Sequence, residues 1–292
     1  MTEQRYAILI ASSEFPLEDK LDDLRCPVND VEGFNEILIS KNRGAFTHTT
    51  LLKNKPHHEI LQAIEDVLKK AGKDDLALIY FSGHGKLNEI GKLHLATTNT
   101  VTERLNTTSI SVEFVRGLID ISKSNKIAFI LDCCFSGAAG LAFARSCVDD
   151  ELQLVSGGRG TYIMTASTGI QTAMEKEIDQ YGVFTKHVIA GLDSGDADYD
   201  NNGRVTMDEL YRYVHDHVIA EGHQKPMKWD LGVQGELVIA HSGKTPRRDR
   251  NRKIRAVLSK YWGKGDLPDD IMDQARKTIS MEPEQFTLHF AL

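Results

Sequence analysis

An α/β fold, with a mostly parallel central sheet flanked by helices on both faces, is predicted by the alternation of two kinds of segment. Short runs of consecutive apolar residues have the length and composition of strands buried on both faces. The segments between these runs repeat apolar residues at helical spacing. Strands that alternate with helices along a chain form a parallel sheet with helices packed on each side.

Four buried strands are predicted, over residues 6–11, 76–81, 127–131 and 162–165. Helices are predicted over residues 29–40, 56–71, 111–121, 183–192 and 207–218. Pro56 opens the second of these helices, where the missing backbone N–H of a proline costs nothing. The order of these segments along the chain is that of a parallel α/β sheet.

Two segments depart from this rhythm. Residues 138–160 are rich in Gly, Ala and Ser, and they are predicted to form a long exposed loop that contains Arg145 and Arg159. Residues 244–255 carry seven basic residues and one acidic residue, and short helices are predicted around 250–262 and 268–280. We therefore divide the chain into a main α/β domain, 1–243, and a basic linker with a small helical C-terminal appendage, 244–292.

The composition excludes several classes of protein. Of the 292 residues, 41% are hydrophobic and 26% are charged, as in ordinary globular proteins. No apolar run reaches the roughly 20 residues of a membrane helix, and the run at 6–11 is too short for a signal peptide, so neither membrane insertion nor export is expected. A net charge of −7 argues against nucleic-acid binding. Four cysteines in a chain of this length are typical of reduced thiols, which predicts a cytoplasmic protein.

Two of the predicted strands end in segments that carry reactive side chains. The first reads Phe-Ser-Gly-His-Gly over 81–85, and the second reads Asp-Cys-Cys-Phe-Ser-Gly over 132–137. Ligand sites of parallel sheets lie beyond the carboxyl ends of the strands, so His84 and Cys134 are expected at the same edge. A neighbouring imidazole can deprotonate a thiol to the nucleophilic thiolate. The pair therefore predicts a Cys-His dyad, although single cysteines are more often simply buried in a core.

These two segments resemble the paired motifs of caspase-like cysteine peptidases, and of the metacaspase and bacterial caspase-like branch in particular. The resemblance covers roughly residues 5–240, and the spacing of His84 and Cys134 matches that of caspases. It implies a caspase-like fold, with His84 and Cys134 as catalytic residues and with the backbone N–H groups of Gly85 and Cys134 as the oxyanion hole. Metacaspases usually have Ser and His on either side of the nucleophile, where this chain has Cys133 and Phe135.

Alternation along a strand distinguishes the two adjacent cysteines. Residues two apart share a face of a strand, so Cys134 is expected to point with Asp132, while Cys133 points into the packing of the sheet. Cys134 is therefore the predicted nucleophile.

The resemblance also implies a substrate class. Metacaspases cleave after Arg or Lys, and the positions that match their S1 pocket are Asp30, Ser82 and Asp132. Carboxylates can bind a guanidinium group through charge-assisted, bidentate hydrogen bonds. The expected partners are thus protein or peptide substrates with a basic P1 residue. The alternative for Asp30 alone is an ordinary acidic residue at a helix N-terminus.

A third motif matches the pattern of a calcium-binding loop over residues 198–209. Oxygen ligands fall at Asp198, Asp200 and Asn202, a glycine follows, Arg204 takes the position that ligates through its backbone carbonyl, and Glu209 closes the loop. The chemistry of a Cys-His dyad needs no cofactor, so calcium would be structural. The alternative is a metal-free turn in which Thr206 and Glu209 form a capping box.

Two functions from different classes follow from the sequence. The first is a cysteine endopeptidase that cleaves after Arg or Lys and acts as a regulated effector of bacterial (including antiviral) defence or cell death, as the resemblance implies. The second is a non-catalytic module of the same fold that binds a nucleotide signal or a protein partner. An activating small molecule or protein is expected in the first case. Four arginines could bind an acidic signal, and the alternative, which the sequence favours, is that they form a solvated face of the linker: Arg247, Arg248, Arg250 and Arg252.

Overall fold

The computed structural model describes residues 3–133, 135–136, 160–166, 180–222, 225–231, 233 and 235–243. The strands in this part of the chain are β1 Arg5–Ala11, β2 His48–Lys53, β3 Leu76–Ser82, β4 Gly85–Leu87, β5 Leu93–Leu95, β6 Ile110–Ser111, β7 Lys126–Asp132, β8 Phe135–Ser136, β9 Thr161–Thr165, β10 Arg204–Thr206, β11 Met227–Leu231 and β12 Val238–His241. The α-helices are α1 Pro27–Ile39, α2 His57–Lys70, α3 Leu105–Thr108, α4 Val112–Asp120, α5 Val183–Ser194 and α6 Met207–Ala220. A 3₁₀ turn, Thr102–Arg104, precedes α3.

A six-stranded sheet in the order β11-β9-β7-β3-β1-β2 forms the centre of the fold. The five strands from β9 to β2 run parallel, and β11 joins the edge antiparallel to β9. The predicted mostly parallel sheet is thereby confirmed, and each of the four predicted strands lies within one residue of its observed bounds.

Each face of the sheet is covered by helices, because apolar side chains alternate between the two faces. In β1, Leu9 packs on one side with α1, α5 and α6, and Ile8 and Ile10 pack on the other side with α2 and α4. All three residues are at most 1% exposed. The parallel strands are therefore buried on both faces, as their continuous apolar sequence indicates.

Two strands at the edges of the sheet were not predicted. β2, with the sequence HTTLLK, alternates between exposed and partly buried positions, and β11, with the sequence MKWDL, contains two charged residues. An edge strand has fewer buried positions than a central one, and it therefore lacks the apolar run by which the central strands were recognised.

A second, four-stranded sheet in the order β6-β5-β4-β8 continues from the carboxyl edge of the large sheet. Two residues separate β4 from β3, and two residues separate β8 from β7. The small sheet thus extends the two central strands beyond the point at which the first sheet ends. Among the described residues, no helix is both long enough and apolar enough to span a membrane.

Candidate active site

The carboxyl ends of β3 and β7 lie side by side, and their register continues into the small sheet. Ser82 pairs with Asp132 where the large sheet ends, and Gly85 pairs with Phe135 where β4 and β8 begin. Both pairs have the same separation in sequence, from 82 to 132 and from 85 to 135. His84 occupies the short link between the two pairs on the β3 side.

The His84 imidazole is held by two contacts with the segment that joins β1 to α1. Its Nε2 lies 2.8 Å from the backbone carbonyl oxygen of Asp22, and its ring centroid lies 5.0 Å from that of Phe15. A carbonyl oxygen only accepts hydrogen bonds, so Nε2 carries a proton and donates a hydrogen bond to the Asp22 carbonyl. In the neutral imidazole the lone pair is then on Nδ1, which makes Nδ1 the basic atom.

The segment that supplies these contacts has its own small core and its own hydrogen bonds. Phe15 and Leu21 pack with Ala96, and each of the three is at most 5% exposed. The Phe15 backbone N–H donates to Asp23 Oδ1 at 3.1 Å, and the Leu24 N–H donates to the Ser13 carbonyl at 2.9 Å. These bonds define the direction in which the Asp22 carbonyl points.

Asp22 was not among the residues singled out from the sequence. Every residue has a backbone carbonyl, so this group leaves no signal in a sequence, and the sequence showed no third partner for the dyad. Only the folded segment shows which carbonyl meets the histidine.

Of the two adjacent cysteines, the structure describes only Cys133. Cys133 is 2% exposed and belongs to the apolar core together with Phe129 and Leu131, which confirms that its side chain points into the sheet packing. Cys134 lies outside the described residues. Its role as nucleophile therefore stays a prediction.

The three residues predicted for the S1 pocket are brought together at the same edge of the sheet. Asp30, in the first turn of α1, is 1% exposed. Its Oδ2 accepts a hydrogen bond from Ser82 Oγ at 2.9 Å, and its Oδ1 accepts one from the Gly182 N–H at 2.9 Å. Asp30 is thus a buried acid in the first turn of a helix, and both its pocket role and the alternative of an ordinary helix N-terminal acid stay open.

Asp132, at the end of β7, is partly exposed and takes part in a chain of short hydrogen bonds. Thr185 Oγ1 donates to Asp132 Oδ2 at 2.5 Å, and the Tyr80 hydroxyl lies 2.5 Å from the same Thr185 oxygen. Because the threonine hydrogen is used for Asp132, the tyrosine hydroxyl donates to the threonine. Burial raises the pKa of Tyr80 well above its usual value, and the nearby carboxylates of Asp30 and Asp132 add to this shift, so Tyr80 remains a donor.

Gly182, the residue before α5, lies between the two carboxylates. A methyl group in place of its hydrogen would lie 3.3 Å from Asp132 Oδ2 and 3.3 Å from Asp30 Oδ2. Both carboxylates therefore border one small space next to the N-terminus of α5, whose dipole favours negative charge there. Gly182, Thr185 and Tyr80 carry no motif, and sequence reasoning missed all three.

Comparison with known proteins identifies the family to which this arrangement belongs. A family model described as "Caspase domain" matches residues 4–232. The chain belongs to the caspase domain family. Comparison with curated proteins gives no significant match.

A solved structure shows the same fold in a distant protein. The crystal structure of protein GSU0716 from Geobacter sulfurreducens is similar to this chain with a TM-score of 0.56 and 14% identity. The match covers 80% of this chain and 95% of the other. At that identity the similarity concerns the fold, and it supports the caspase-like architecture derived above.

The acidic loop of this caspase domain connects α5 to α6 and folds around its own carboxylates. Asp198, which is 2% exposed, accepts hydrogen bonds from the backbone N–H groups of Asn202 and Gly203 at 3.0 Å. Gly203 has a φ of 89°, a conformation that favours glycine and that the calcium-loop pattern also requires. Oxygen atoms of Asp198, Asp200 and Glu209 lie within 4.8 Å of one another, so these three residues could hold a cation.

The same loop forms the predicted capping box. Thr206 Oγ1 accepts a hydrogen bond from the Glu209 N–H at 3.2 Å, and Glu209 Oε2 accepts one from the Thr206 N–H at 2.9 Å. The capping box itself is confirmed, and whether the loop also holds calcium stays a prediction. The Asn202 side chain accepts from the Arg204 N–H at 2.8 Å, whereas the Arg204 side chain pairs with Glu236.

Several predicted features of the caspase domain are not tested by these observations. Gly85 is the first residue of β4 and directly follows His84, but its role in an oxyanion hole stays a prediction. The loop predicted at 138–160, apart from Gly160, and the appendage 244–292 lie outside the described residues, so the proposed domain division stays a prediction as well.

Proposed function

We propose that this caspase domain is a cysteine endopeptidase that cleaves proteins after Arg or Lys, with Cys134 as nucleophile and His84 as general base. Membership of the family supports cysteine peptidase activity in general. The observation that carries the dyad is the register of the two sheets. The pairs on either side of His84 are Ser82 with Asp132 and Gly85 with Phe135. The two members of each pair are as far apart in the sequence as His84 and Cys134 are. The register therefore favours a position for Cys134 opposite His84.

In each half of the proposed reaction, His84 takes up a proton and then gives it up. His84 Nδ1 takes the proton from the Cys134 thiol, and the thiolate attacks the scissile carbonyl carbon. The negative charge that develops on the carbonyl oxygen is stabilised by the N–H groups of Gly85 and Cys134. The C–N bond then breaks as the leaving amine takes the proton from His84. In the second half, His84 takes a proton from water, whose oxygen attacks the thioester carbon, and the C–S bond breaks as His84 returns the proton to the Cys134 sulfur. Asp22 keeps the Nε2 proton in place throughout.

The proposed preference for a basic P1 residue is supported by the two carboxylates that border Gly182. Asp132 is partly exposed, and Asp30 lies behind it with both oxygens already hydrogen bonded. Two negative charges at one site attract a guanidinium or ammonium group and disfavour an acidic P1 side chain. Thr185 donates a hydrogen bond to Asp132, and Tyr80 lies next to the same threonine oxygen, so these residues hold Asp132 at the border of the space next to Gly182.

The dyad is tested by replacing each of the two adjacent cysteines. Cys134→Ala is expected to abolish hydrolysis of a peptide amide after arginine, and Cys133→Ala, which removes a buried core thiol, is expected to leave much of the activity. Titration of the wild type with a thiol-reactive arginyl ketone should label one cysteine per chain, at Cys134. Equal loss of activity in both variants with intact folds, or no labelling of the wild type, would contradict the assignment and favour a non-catalytic binding module.

The substrate preference is tested by profiling on a peptide library. The wild type is expected to cleave after Arg and Lys, and Asp132→Ala is expected to lose most of this preference because one of the two carboxylates is gone. Asp120→Ala removes an exposed carboxylate of α4 and serves as the matched control. A dominant acidic P1 residue in the wild type would refute the proposed pocket.

The cellular setting is part of the same proposal. Cys26 and Cys133 are buried and form no disulfide, which suits a protein of the reducing cytoplasm. A regulated role in defence or cell death rests on the resemblance to bacterial caspase-like proteins.

A further inference from the structure

The segment that contacts His84 is anchored on its far side by a single carboxylate. Glu18 is 9% exposed, and its Oε2 accepts hydrogen bonds from both the backbone N–H and the hydroxyl of Thr102, each at 2.5 Å. Its Oε1 accepts a hydrogen bond from the Lys20 N–H at 3.0 Å. The hydrogen bonds from Thr102 lower the pKa of Glu18, so the group is a carboxylate at neutral pH.

Two tight turns connect this anchor to the histidine. The Glu18 N–H donates to the Phe15 carbonyl at 3.0 Å, and the Leu21 N–H donates to the Glu18 carbonyl at 3.1 Å. Phe15, at the start of the first turn, packs its tilted ring against the His84 ring, and the carbonyl of Asp22, just after the second turn, accepts the hydrogen bond from Nε2. Glu18 is thus the shared residue of the two turns that supply both contacts.

The anchor is independent of the sheet and of the candidate pocket. Thr102 lies in the 3₁₀ turn before α3, which is far from β1 and α1 in sequence. An ion pair from Lys20 to Glu103, at 3.0 Å, also joins the two segments, but it is exposed and contributes little. Glu18 therefore provides a buried, charge-assisted link between the segment and the turn that contains Thr102.

We propose that Glu18 is a positioning residue for His84. By binding Thr102, its carboxylate holds the segment in the shape that places the Phe15 ring and the Asp22 carbonyl against the imidazole. The proposal rests on the proposed function, in which His84 is the general base. If His84 rotates away from Cys134, proton transfer between them becomes slower. Substrate binding next to Asp30 and Asp132 is unaffected.

Kinetics of variants on both sides of the contact test this proposal. Glu18→Ala is expected to lower kcat by about 10- to 100-fold, since small misplacements of catalytic groups have effects of this order, with KM changed by less than about twofold. Thr102→Val removes the hydroxyl and is expected to produce a smaller fall in kcat. Thr102→Ser keeps the hydroxyl and is expected to retain wild-type kcat.

A matched control separates positioning from general loss of stability. Asp75 also accepts two backbone N–H bonds, from Gln4 at 2.7 Å and Gly72 at 2.8 Å, but it lies at the opposite end of β3. Asp75→Ala is expected to lower the melting temperature as Glu18→Ala does and to leave kcat unchanged. An equal loss of kcat in Asp75→Ala, or a Glu18→Ala variant with wild-type kcat, would overturn the proposal.

A second readout does not need peptidase activity. In ¹⁵N-histidine-labelled protein carrying Cys134→Ala, the Nε2–H of His84 is expected to give a slowly exchanging NMR signal because it is bonded to Asp22. Adding Glu18→Ala should abolish that signal or speed its exchange, and an unchanged signal would overturn the proposal. If the wild type proves inactive, the proposed function fails, and the NMR result still decides whether Glu18 positions His84.

Discussion

At the scale of single residues, the candidate pocket depends on a residue without a side chain. Gly182 has φ −58° and ψ 147°, a backbone conformation that any amino acid adopts. The constraint at this position is therefore the space available for a side chain. The space in question is the gap between two carboxylates that are both negatively charged in the proposed function. Adding one methyl group at Gly182 therefore tests whether this gap is the substrate pocket.

Gly182→Ala is expected to raise KM for arginyl substrates about tenfold, equivalent to about 1.4 kcal/mol, because the methyl group occupies the space between Asp30 and Asp132. Steady-state kinetics measure the change. Gly117→Ala, within α4, is the control, since nothing lies within 4 Å of the added group. It should stabilise the protein by about 0.5–1 kcal/mol and leave KM unchanged, and an equal KM in both variants and the wild type would contradict the pocket.

The residues of the site differ in how far the sequence predicts them. Asp30, Ser82 and Asp132 were found because each stands at a fixed position relative to a motif, and the structure brings them together. Thr185 and Gly182 could not be found in this way, because they meet Asp132 and Asp30 only after α5 packs on the sheet. Partners made by packing between distant segments leave no local pattern.

At the scale of elements, the hairpin of β4 and β5 contains a buried histidine that must stay neutral. His94 is 2% exposed, and burial lowers its pKa. Its Nδ1 lies 2.9 Å from Ser109 Oγ, which donates its own hydrogen to the Leu105 carbonyl, so Nδ1 carries the proton. Nε2 then accepts a hydrogen bond from Asn88. A second proton on the ring would disturb this arrangement.

The free energy of unfolding is expected to fall as the pH is lowered from 7.5 to 5.5. Unfolded His94 takes up a proton near its ordinary pKa of about 6.5, whereas folded His94, with its lowered pKa, does not. The unfolded state then binds more protons, so acid favours unfolding. Urea denaturation at a series of pH values measures the slope. His94→Gln should make it shallower and His58→Gln, at an exposed position of α2, should not; identical slopes in all three proteins would contradict the prediction.

Calcium is expected to raise the melting temperature through the loop between α5 and α6. An isolated loop of this kind belongs to the class with Kd of about 10⁻⁴ to 10⁻³ M, and a tenfold excess of ion over Kd stabilises a protein by about 1.4 kcal/mol. Glu209→Gln should suppress the rise, because the carboxylate is lost. Gln at this position still forms a capping box with Thr206, so the comparison isolates the metal.

Two results would contradict calcium binding at this loop. No shift in the wild type at several millimolar calcium would leave the capped, metal-free turn as the function of these residues. The same shift in the wild type and in Glu209→Gln would place the ion elsewhere.

At the scale of the whole molecule, the segment between β8 and β9 carries the prediction of self-cleavage. The sequence predicts an exposed loop over 138–160, and exposed loops are preferred sites of proteolysis. Arg145 and Arg159 match the proposed P1 preference. Slow cleavage after one of them is expected in aged wild-type protein and not in Cys134→Ala, as measured by mass spectrometry. No fragment, or the same fragment in both proteins, would count against it.

The central strands of the fold were predictable from the sequence, whereas the edge strands and the short strands of the small sheet were not. Strands such as β3 and β7 are buried on both faces, and their residues 76–81 and 127–131 are therefore apolar. β2 and β11 lie at the edges, and β4 and β8 are too short to form a periodic pattern. The short strands nevertheless set the register around His84, so the features that matter most for the site are those with the weakest sequence signal.

The position of α5 in the chain has a consequence during protein synthesis. A ribosome makes Asp30 and Asp132 well before Gly182 and Thr185, which supply their hydrogen-bond donors. Until α5 has emerged and docked, the two carboxylates lack these partners and the proposed pocket lacks one wall. In the proposed function, a nascent chain therefore lacks a complete substrate pocket until α5 has been made and has docked.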